Sequence, residues 1–456
     1  MTPPADTIAA IATPPGIGGI AVIRVSGPKS WEVARLLGSP SVHGGNMGGL
    51  ETAPNTVKHA YIYNNNNELI DEVLISFFKS PHSYTGEDVI EISCHGGNVV
   101  SKRILKLILS QDVRMARPGE FTERAFLNGK LDLAQAEAVA GLIHARSEAS
   151  ARTALSQLSG KLSEHVREMR AKILDLLALL ELELDFSEED VSFQSLESRK
   201  TDLLELQQKI KHLISSFARG RIEREGLRVA IVGAPNAGKS TLLNRIVGDE
   251  RAIVSPHPGT TRDVIEAHLE LSGHEVIFQD TAGLRDTEHE IESIGIERTR
   301  KALSRADLIL LLIDSQTGDL PGPEMLAEIA NKTPLIVYNK SDLSRAEYAV
   351  PFATHSGVFH ISALSGGGVE ELLTELTRVF TEELETAGDL IITEQRHHDA
   401  LRRANEALVR AQSLFSESTL MAADLRDAAN ALGEITGESI GEEVLDRIFS
   451  KFCIGK

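Results

Sequence analysis

Apolar residues recur at helical spacing in two well-separated tracts. Leu203, Leu206, Ile210, Leu213 and Phe217 follow one another at alternating steps of three and four, as do Leu401, Ala404, Leu408, Ala411 and Phe415; each such stripe needs a partner face. Both tracts lack the main helix breaker. No proline occurs between Pro118 and Pro235 or after Pro351, and Ala, Leu, Glu, Lys and Arg are abundant there. Between the stripes, short apolar runs at residues 227–232, 275–278, 308–313, 335–338 and 358–361 are each followed by a turn or a helical stretch. That rhythm predicts an α/β domain with a mainly parallel sheet. Because the termini of a domain commonly lie close together, such a unit can interrupt a helical host without dividing it. The expected arrangement is one discontinuous helical domain whose second half closes its bundle against the first.

The residues up to about 120 follow a different pattern. Runs at 20–25, 61–63, 73–78 and 89–93 read as strands, 99–109 reads as a helix, and the asparagine run 64–67 reads as a hairpin loop. These give an α+β domain. The expected boundaries are 1–122 for that domain, 123–222 for the first helical part, 223–383 for the α/β insertion and 384–456 for the second helical part. The stretch 181–190 holds six carboxylates and no basic residue, and reads as a solvated connection rather than a metal site.

Composition narrows the setting. A chain of 456 residues exceeds one ordinary domain several-fold. With 47 Lys plus Arg against 66 Asp plus Glu, the formal charge is −19, which excludes indiscriminate coating of nucleic acid but permits a local basic surface. Arg219, Arg221, Arg224 and Arg228 are the candidates for one. No apolar run reaches the ~18 residues of a membrane helix, and the first residues lack the basic and apolar segments of a signal peptide. Two cysteines, Cys94 and Cys453, make neither a disulfide framework nor a metal motif. A cytoplasmic protein without membrane partners is expected.

The candidate chemistry begins at Gly233. Residues 233–240, Gly-Ala-Pro-Asn-Ala-Gly-Lys-Ser, follow a strand and open a helix, as the phosphate-binding G-x-x-x-x-G-K-[ST] loop requires. Its glycines let backbone N–H groups wrap phosphates, Lys239 reaches the β/γ oxygens, and the Ser240 hydroxyl is placed to ligate Mg²⁺. Asp280-Thr281-Ala282-Gly283 ends a second strand, with a carboxylate for the metal's water shell and a glycine N–H for the γ-phosphate. Asn339-Lys340-Ser341-Asp342 ends a third. The Asp342 carboxylate fits the N1–H and 2-amino pair of guanine, which adenine does not present. Ser362-Ala363-Leu364 supplies a backbone donor to the base oxygen. The four motifs resemble those of Ras-like GTPases, with GTP as substrate. Where that pattern places a water-orienting glutamine, the chain has Leu284, and no arginine finger is evident.

Further segments carry a narrower resemblance. Gly259-Thr-Thr-Arg-Asp263, Asp280-Thr-Ala-Gly-Leu-Arg285, Ile294-Gly-Ile-Glu297 and the terminal Phe452-Cys-Ile-Gly-Lys456 resemble the MnmE (TrmE) family of tRNA-modifying GTPases, and the similarity spans the whole chain. The resemblance implies potassium activation and dimerisation of the GTPase domains, with K⁺ in place of an arginine finger. It places Asn236 on K⁺, with main-chain oxygens near Ser255 and His257 and with Thr260. It also makes Thr261 the second Mg²⁺ ligand and Glu292 the water-orienting residue, against the plain alternative of a solvated loop charge. Ala237, Gly238 and Thr241 complete the phosphate contacts.

The same resemblance implies a tetrahydrofolate-binding-like amino-terminal domain that forms a homodimer and holds 5-formyl- or 5,10-methylene-tetrahydrofolate through Arg24, Glu87, Lys130 and Lys456. From the residues alone, Arg24 is a charge inside an apolar strand that needs a partner or a ligand, Glu87 could be a helix-start carboxylate, and Lys130 a surface charge. Cys453 matters for modification in the family; its alternative is a packed terminal residue. Cys94 reads as a strand residue before a turn, and His95, His397 and His398 as surface or core histidines. The implied function is a GTP-driven modification of the wobble uridine of certain tRNAs at C5 to carboxymethylaminomethyluridine. It uses an FAD-dependent partner, MnmG (GidA), in a heterotetramer or larger complex. The alternative is a regulatory or ribosome-assembly GTPase switch without one-carbon chemistry.

Overall fold

The structure, a computed structural model, describes residues 5–37, 53–185, 195–248, 266–280, 300, 302–352, 357–384, 390–414 and 417–456. The chain forms two compact units. One comprises Met1–Ala140, Gln157–Phe193 and Ser416–Lys456, the other Gly141–Ser156 and Gln194–Phe415.

The first unit holds a six-stranded sheet built from β1 (Ile8–Ile11), β2 (Ile20–Ser26), β3 (Thr56–Tyr63), β4 (Leu69–Phe78), β5 (Val89–His95) and β6 (Arg114–Met115). Its order is β3-β4-β5-β2-β1-β6, antiparallel except for the parallel β1/β6 pair. Helices α1 (Ser30–Leu37) and α2 (Val100–Leu109) supply Val33, Ala34, Ile104 and Ile108 to a core that includes Ile23, Val25, Ile90 and Ile92 of the sheet. On the opposite face Ile8 and Ala10 pack with Phe121 of α3 (Glu120–Leu127) and with Tyr84. The strand expected at 61–63 begins at Thr56. β1 had no counterpart among the expected strands, because a four-residue Ile-Ala-Ala-Ile run buried on both faces shows no alternation.

The helices α4 (Leu133–His144), α5 (Glu148–Leu158) and α6 (Lys161–Asp185) follow. α6 corrects the reading of 181–190 as a connection throughout. Glu181 and Glu183 lie in its last turns, since Leu and Glu are strong helix formers and carry the helix past the buried Leu176, Leu177 and Leu180, with Leu182 and Leu184 exposed. Further along the chain, α13 (Ser418–Thr436) packs on α6, and α14 (Glu442–Phe449) on α3.

The second unit contains α7 (Leu196–Ser215), α8 (Phe217–Glu225), β7 (Leu227–Gly233), α9 (Lys239–Val247), β8 (Glu266–Leu271), β9 (His274–Asp280), β10 (Leu308–Asp314), α10 (Pro323–Ala330), β11 (Leu335–Asn339), β12 (Val358–His360), α11 (Val369–Leu384) and α12 (Gln395–Ser413). The two apolar stripes, from Leu203 and from Leu401, find one another: α12 packs on α7 with Leu203, Leu206, Ile210, Leu401, Ala404 and Leu408 buried. Sheet order is β12-β11-β10-β7-β9-β8. Every pairing is parallel except the unexpected β8, an antiparallel edge strand on β9. Each residue of β10 is buried, because helices cover both faces of a parallel sheet. From β7 the chain passes to β9 on one side and to β10 on the other, so a crevice opens at the carboxyl ends of these strands, the usual ligand position of such folds.

Candidate functional site

The phosphate loop fills that crevice. β7 ends at Gly233, where an added Cβ would lie 2.3 Å from Leu312 O of the neighbouring strand, so glycine is required by contact alone. Asn236 and Gly238 are left-handed, with φ of 63° and 96°, and these turns hand the chain into α9, whose amino end favours anions. Lys239 Nζ donates to the carbonyls of Gly233 (3.0 Å) and Ala234 (2.8 Å), closing over the loop. Ser240 and Thr241 are exposed on the first turn of α9. A single buried amide then joins three motifs. Asn339 Nδ2 donates to Ala237 O at 2.8 Å, and its Oδ1 accepts from the Ala363 N–H at 2.9 Å. Beyond it Lys340 is left-handed, with φ 64°, and Asp342 is exposed. Ser362 is buried and its Oγ accepts from the Ser365 N–H at 3.2 Å, shaping the loop that leaves Leu364 exposed. Arg245 of α9, absent from the sequence expectations, donates to the carbonyls of Ala363 and Leu364.

A second cluster occupies the first unit, on the sheet face away from α1 and α2. Alternation along β2 buries Ile23 and Val25 in the core and turns Arg24 to this face. Arg24 stands opposite Glu91 in the β2/β5 register, pairs with it at 2.8 Å, and lies over the Tyr84 ring, 5.0 Å from its centroid. It also donates to Gly455 O at 3.4 Å. Glu87 starts no helix; it precedes β5 and accepts from Ser26 Oγ at 2.7 Å. Arg124 Nη1 lies 3.1 Å from both of its oxygens. The Lys130 stem approaches Gly86, where a Cβ would be 3.3 Å from its Cγ, and its ammonium donates to Pro81 O at 3.1 Å. Burial, and then the neighbouring Arg24, lower the Lys456 pKa. The tail reaches this cluster by main-chain contacts. Gly119 N–H donates to Cys453 O at 3.3 Å, and Gly455 is left-handed and so close to Ile11 that a Cβ would lie 2.5 Å from its carbonyl oxygen.

Behind Glu87 lies a network the sequence did not announce. Arg124, fully buried, also donates to Asp6 (2.6 Å) and Glu120 (3.1 Å). Burial pushes the Glu120 carboxyl up, but hydrogen bonds from Arg114, the Arg117 N–H and Arg124 more than offset this and hold it at about 2.

Comparison with known proteins agrees with the geometry. Residues 7–130 match the family described as GTP-binding protein TrmE N-terminus, and residues 133–453 match the MnmE helical domain. The tRNA modification GTPase MnmE of Chlorobium chlorochromatii (strain CaD3) is 43% identical over 99% of this chain and 98% of its own length. That of Clostridioides difficile (strain 630) is 42% identical over 99% of each. The chain belongs to the MnmE family. A solved structure of Era in complex with MgGDPNP and 16S ribosomal RNA nucleotides is 29% identical over 39% of this chain and 65% of that one, with a TM-score of 0.26, too loose an overlap to argue from. Membership rests on the full-length match.

Within this MnmE-family chain, the structure brings residues 236–241 together with Asn339, Lys340, Asp342 and 362–364, and it gathers Arg24, Glu87, Lys130 and Lys456 around the 84–87 loop and the tail. Ser255, His257, Thr260, Thr261, Thr281, Ala282, Gly283 and Glu292, and the Asp280 side chain, lie outside the described residues. The basic surface expected of Arg219, Arg221, Arg224 and Arg228 is corrected, because each is paired with a carboxylate: Glu223, Asp307, Glu394 and Glu225 in turn. Cys94 is a buried β5 residue, as expected, and His95 is an exposed partner of Asp71 at 2.7 Å. Among the described residues no group of three or more His, Cys, Asp or Glu could hold a metal ion. No helix among them is long and apolar enough to cross a membrane.

Proposed function

We propose that the protein hydrolyses GTP in a potassium-activated cycle of a homodimer. With the FAD-dependent MnmG (GidA), this cycle drives conversion of the wobble uridine of certain tRNAs to carboxymethylaminomethyluridine at C5. The observation that carries the hydrolytic half is the Asn339 amide bridge, which fixes the phosphate loop and both base-side loops as one rigid frame. Such a frame favours positioning, the main protein contribution to phosphoryl transfer. Lys239 is held at the loop and can trade its two carbonyl acceptors for phosphate oxygens. Ser240, exposed at the start of α9, suits a Mg²⁺ ligand, and Asn236, exposed at the crest of the loop, offers an amide oxygen to a large monovalent cation. When bound, Mg²⁺ and K⁺ supply positive charge beside the phosphates, where an arginine finger contributes roughly 10³ to 10⁵ in rate.

The folate half is supported by the ionic cluster. A carboxylate has about four acceptor sites, so Glu87, its plane fixed by Ser26 and Arg124, retains capacity for a pterin N–H. Arg24, Lys130 and Lys456 supply donors beside it. We assign 5-formyl- or 5,10-methylene-tetrahydrofolate to this place and the one-carbon unit to it.

GTP turnover of the full chain with Mg²⁺ is expected to rise at least about tenfold when K⁺ replaces Na⁺ at equal ionic strength. Equal rates in the two salts would remove Asn236 from a potassium site and favour an ordinary switch GTPase.

A further inference from the structure

We infer that Asp314 and Ser315, at the end of β10, are positioning residues for guanine: they hold the Asn339–Asp342 loop in the backbone shape that presents Asp342 to the base. The inference rests on the reading of Asp342 as the base-recognising carboxylate. Neither residue belongs to a nucleotide motif.

The parallel register sets Asp314 directly opposite Asn339. There the chain leaves β11 and turns left-handed at Lys340, a conformation uncommon for a residue with a long side chain. Three contacts keep it there. Ser315 donates to Asn339 O twice, from its N–H at 3.0 Å and from its Oγ at 2.6 Å. Asp314 Oδ2 accepts from Lys340 Nζ at 2.6 Å. Its other oxygen accepts from the Gln316 N–H at 2.9 Å, which fixes the carboxylate plane. Asp314 is only 7% exposed, and a carboxylate so placed is tolerated because it is paired. Burial raises its pKa, yet the Lys340 hydrogen bond and the Gln316 N–H bring it below the usual value. The turn then continues through Ser341 N–H to Ile361 O at 3.0 Å and Leu343 N–H to Lys340 O at 2.9 Å, carrying Asp342 outward between two anchored residues.

The chemistry of guanine makes this anchoring matter for specificity. Asp342 is suited to accept two parallel donors, N1–H and the 2-amino group, and two-point recognition depends on direction more steeply than one-point recognition does. Hypoxanthine keeps N1–H and lacks the 2-amino group. Slack in the loop therefore weakens guanine nucleotides more than hypoxanthine nucleotides.

The experiment measures GDP, IDP and XDP affinity of the full chain by competition against a fluorescent GDP analogue, at fixed Mg²⁺ and K⁺, for wild type, Asp314→Asn, Ser315→Ala and Asp342→Asn. Asp314→Asn is expected to weaken GDP tenfold or more and IDP less than threefold. Ser315→Ala should shift the GDP/IDP ratio in the same direction by a smaller factor, and it serves if Asp314→Asn does not fold. Adding Lys340→Met to Asp314→Asn should cost less than the two single effects combined, because each singly leaves its partner unpaired. Wild-type ratios in both variants, or equal losses for GDP and IDP, overturn the inference. Failure of the underlying reading looks different: Asp342→Asn would then leave the preference for GDP over XDP unchanged.

Discussion

Cys94 and Cys453 differ in their access to solvent. Cys94 is buried in β5 against Ala21 O, and burial, then the nearby Asp71, push its thiol up to about 11. Cys453 is exposed, on a tail pinned through its own carbonyl and through Gly455. Reaction requires thiolate and access, so iodoacetamide at pH 8 is expected to modify Cys453 alone in the native protein and both cysteines after denaturation. The alkylated protein should keep its GTP turnover and lose tRNA modification; modification that survives would make Cys453 structural. Residue-scale legibility was uneven for a physical reason. Arg24 stood out because a charge interrupts an apolar alternation, whereas Arg124 lies in a charged segment, Glu120-Phe-Thr-Glu-Arg124, where nothing in the spacing separates a buried arginine from a solvated one.

At the scale of elements, the start of α3 is an ionic joint rather than an apolar one. Glu120 is fully buried between Arg114 of β6 at 2.6 Å and Arg124 of its own helix at 3.1 Å. Its carboxyl is depressed from an ordinary value of 4.5 to about 2. The stability this contributes is present above the unfolded value and is lost as pH falls from about 4.5 toward about 2, a term on the order of 3 kcal/mol. Urea unfolding at pH 7, 4 and 3 should therefore show the wild type losing stability steeply below pH 4.5. Glu120→Gln should be destabilised at pH 7 by about 3 kcal/mol and be flatter below it; parallel pH profiles would exclude Glu120 as the titrating group. The long elements were legible because periodic stripes recur over several turns, as in α7 and α12. β1 and β8 were not, one being too short and the other an edge strand. The carboxylates at the end of α6 read as a connection by their charge, but helix propensity prevails there.

For the whole molecule, each compact unit has its own apolar core, one around Ile23, Ile92 and Ile104 and one around Ile231, Leu310 and Leu372. Ligands that bind one unit should stabilise that unit by mass action. Calorimetry is expected to resolve two transitions, with GDP and Mg²⁺ raising one and 5-formyltetrahydrofolate the other; a ligand that raises both equally would mean a single cooperative unit. The sequence by itself determined the nucleotide chemistry, the helical tracts flanking an α/β unit, and the family. Phosphate loops and amphipathic stripes are local patterns, set by backbone needs that short segments satisfy alone. Only the tertiary structure decided what surrounds those motifs: Asn339 between two loops, Asp314 behind Lys340, Arg124 behind Glu87, and four arginines neutralised by acids. Such partners lie from a few to more than a hundred residues apart and meet through strand register and burial, which one-dimensional spacing does not encode.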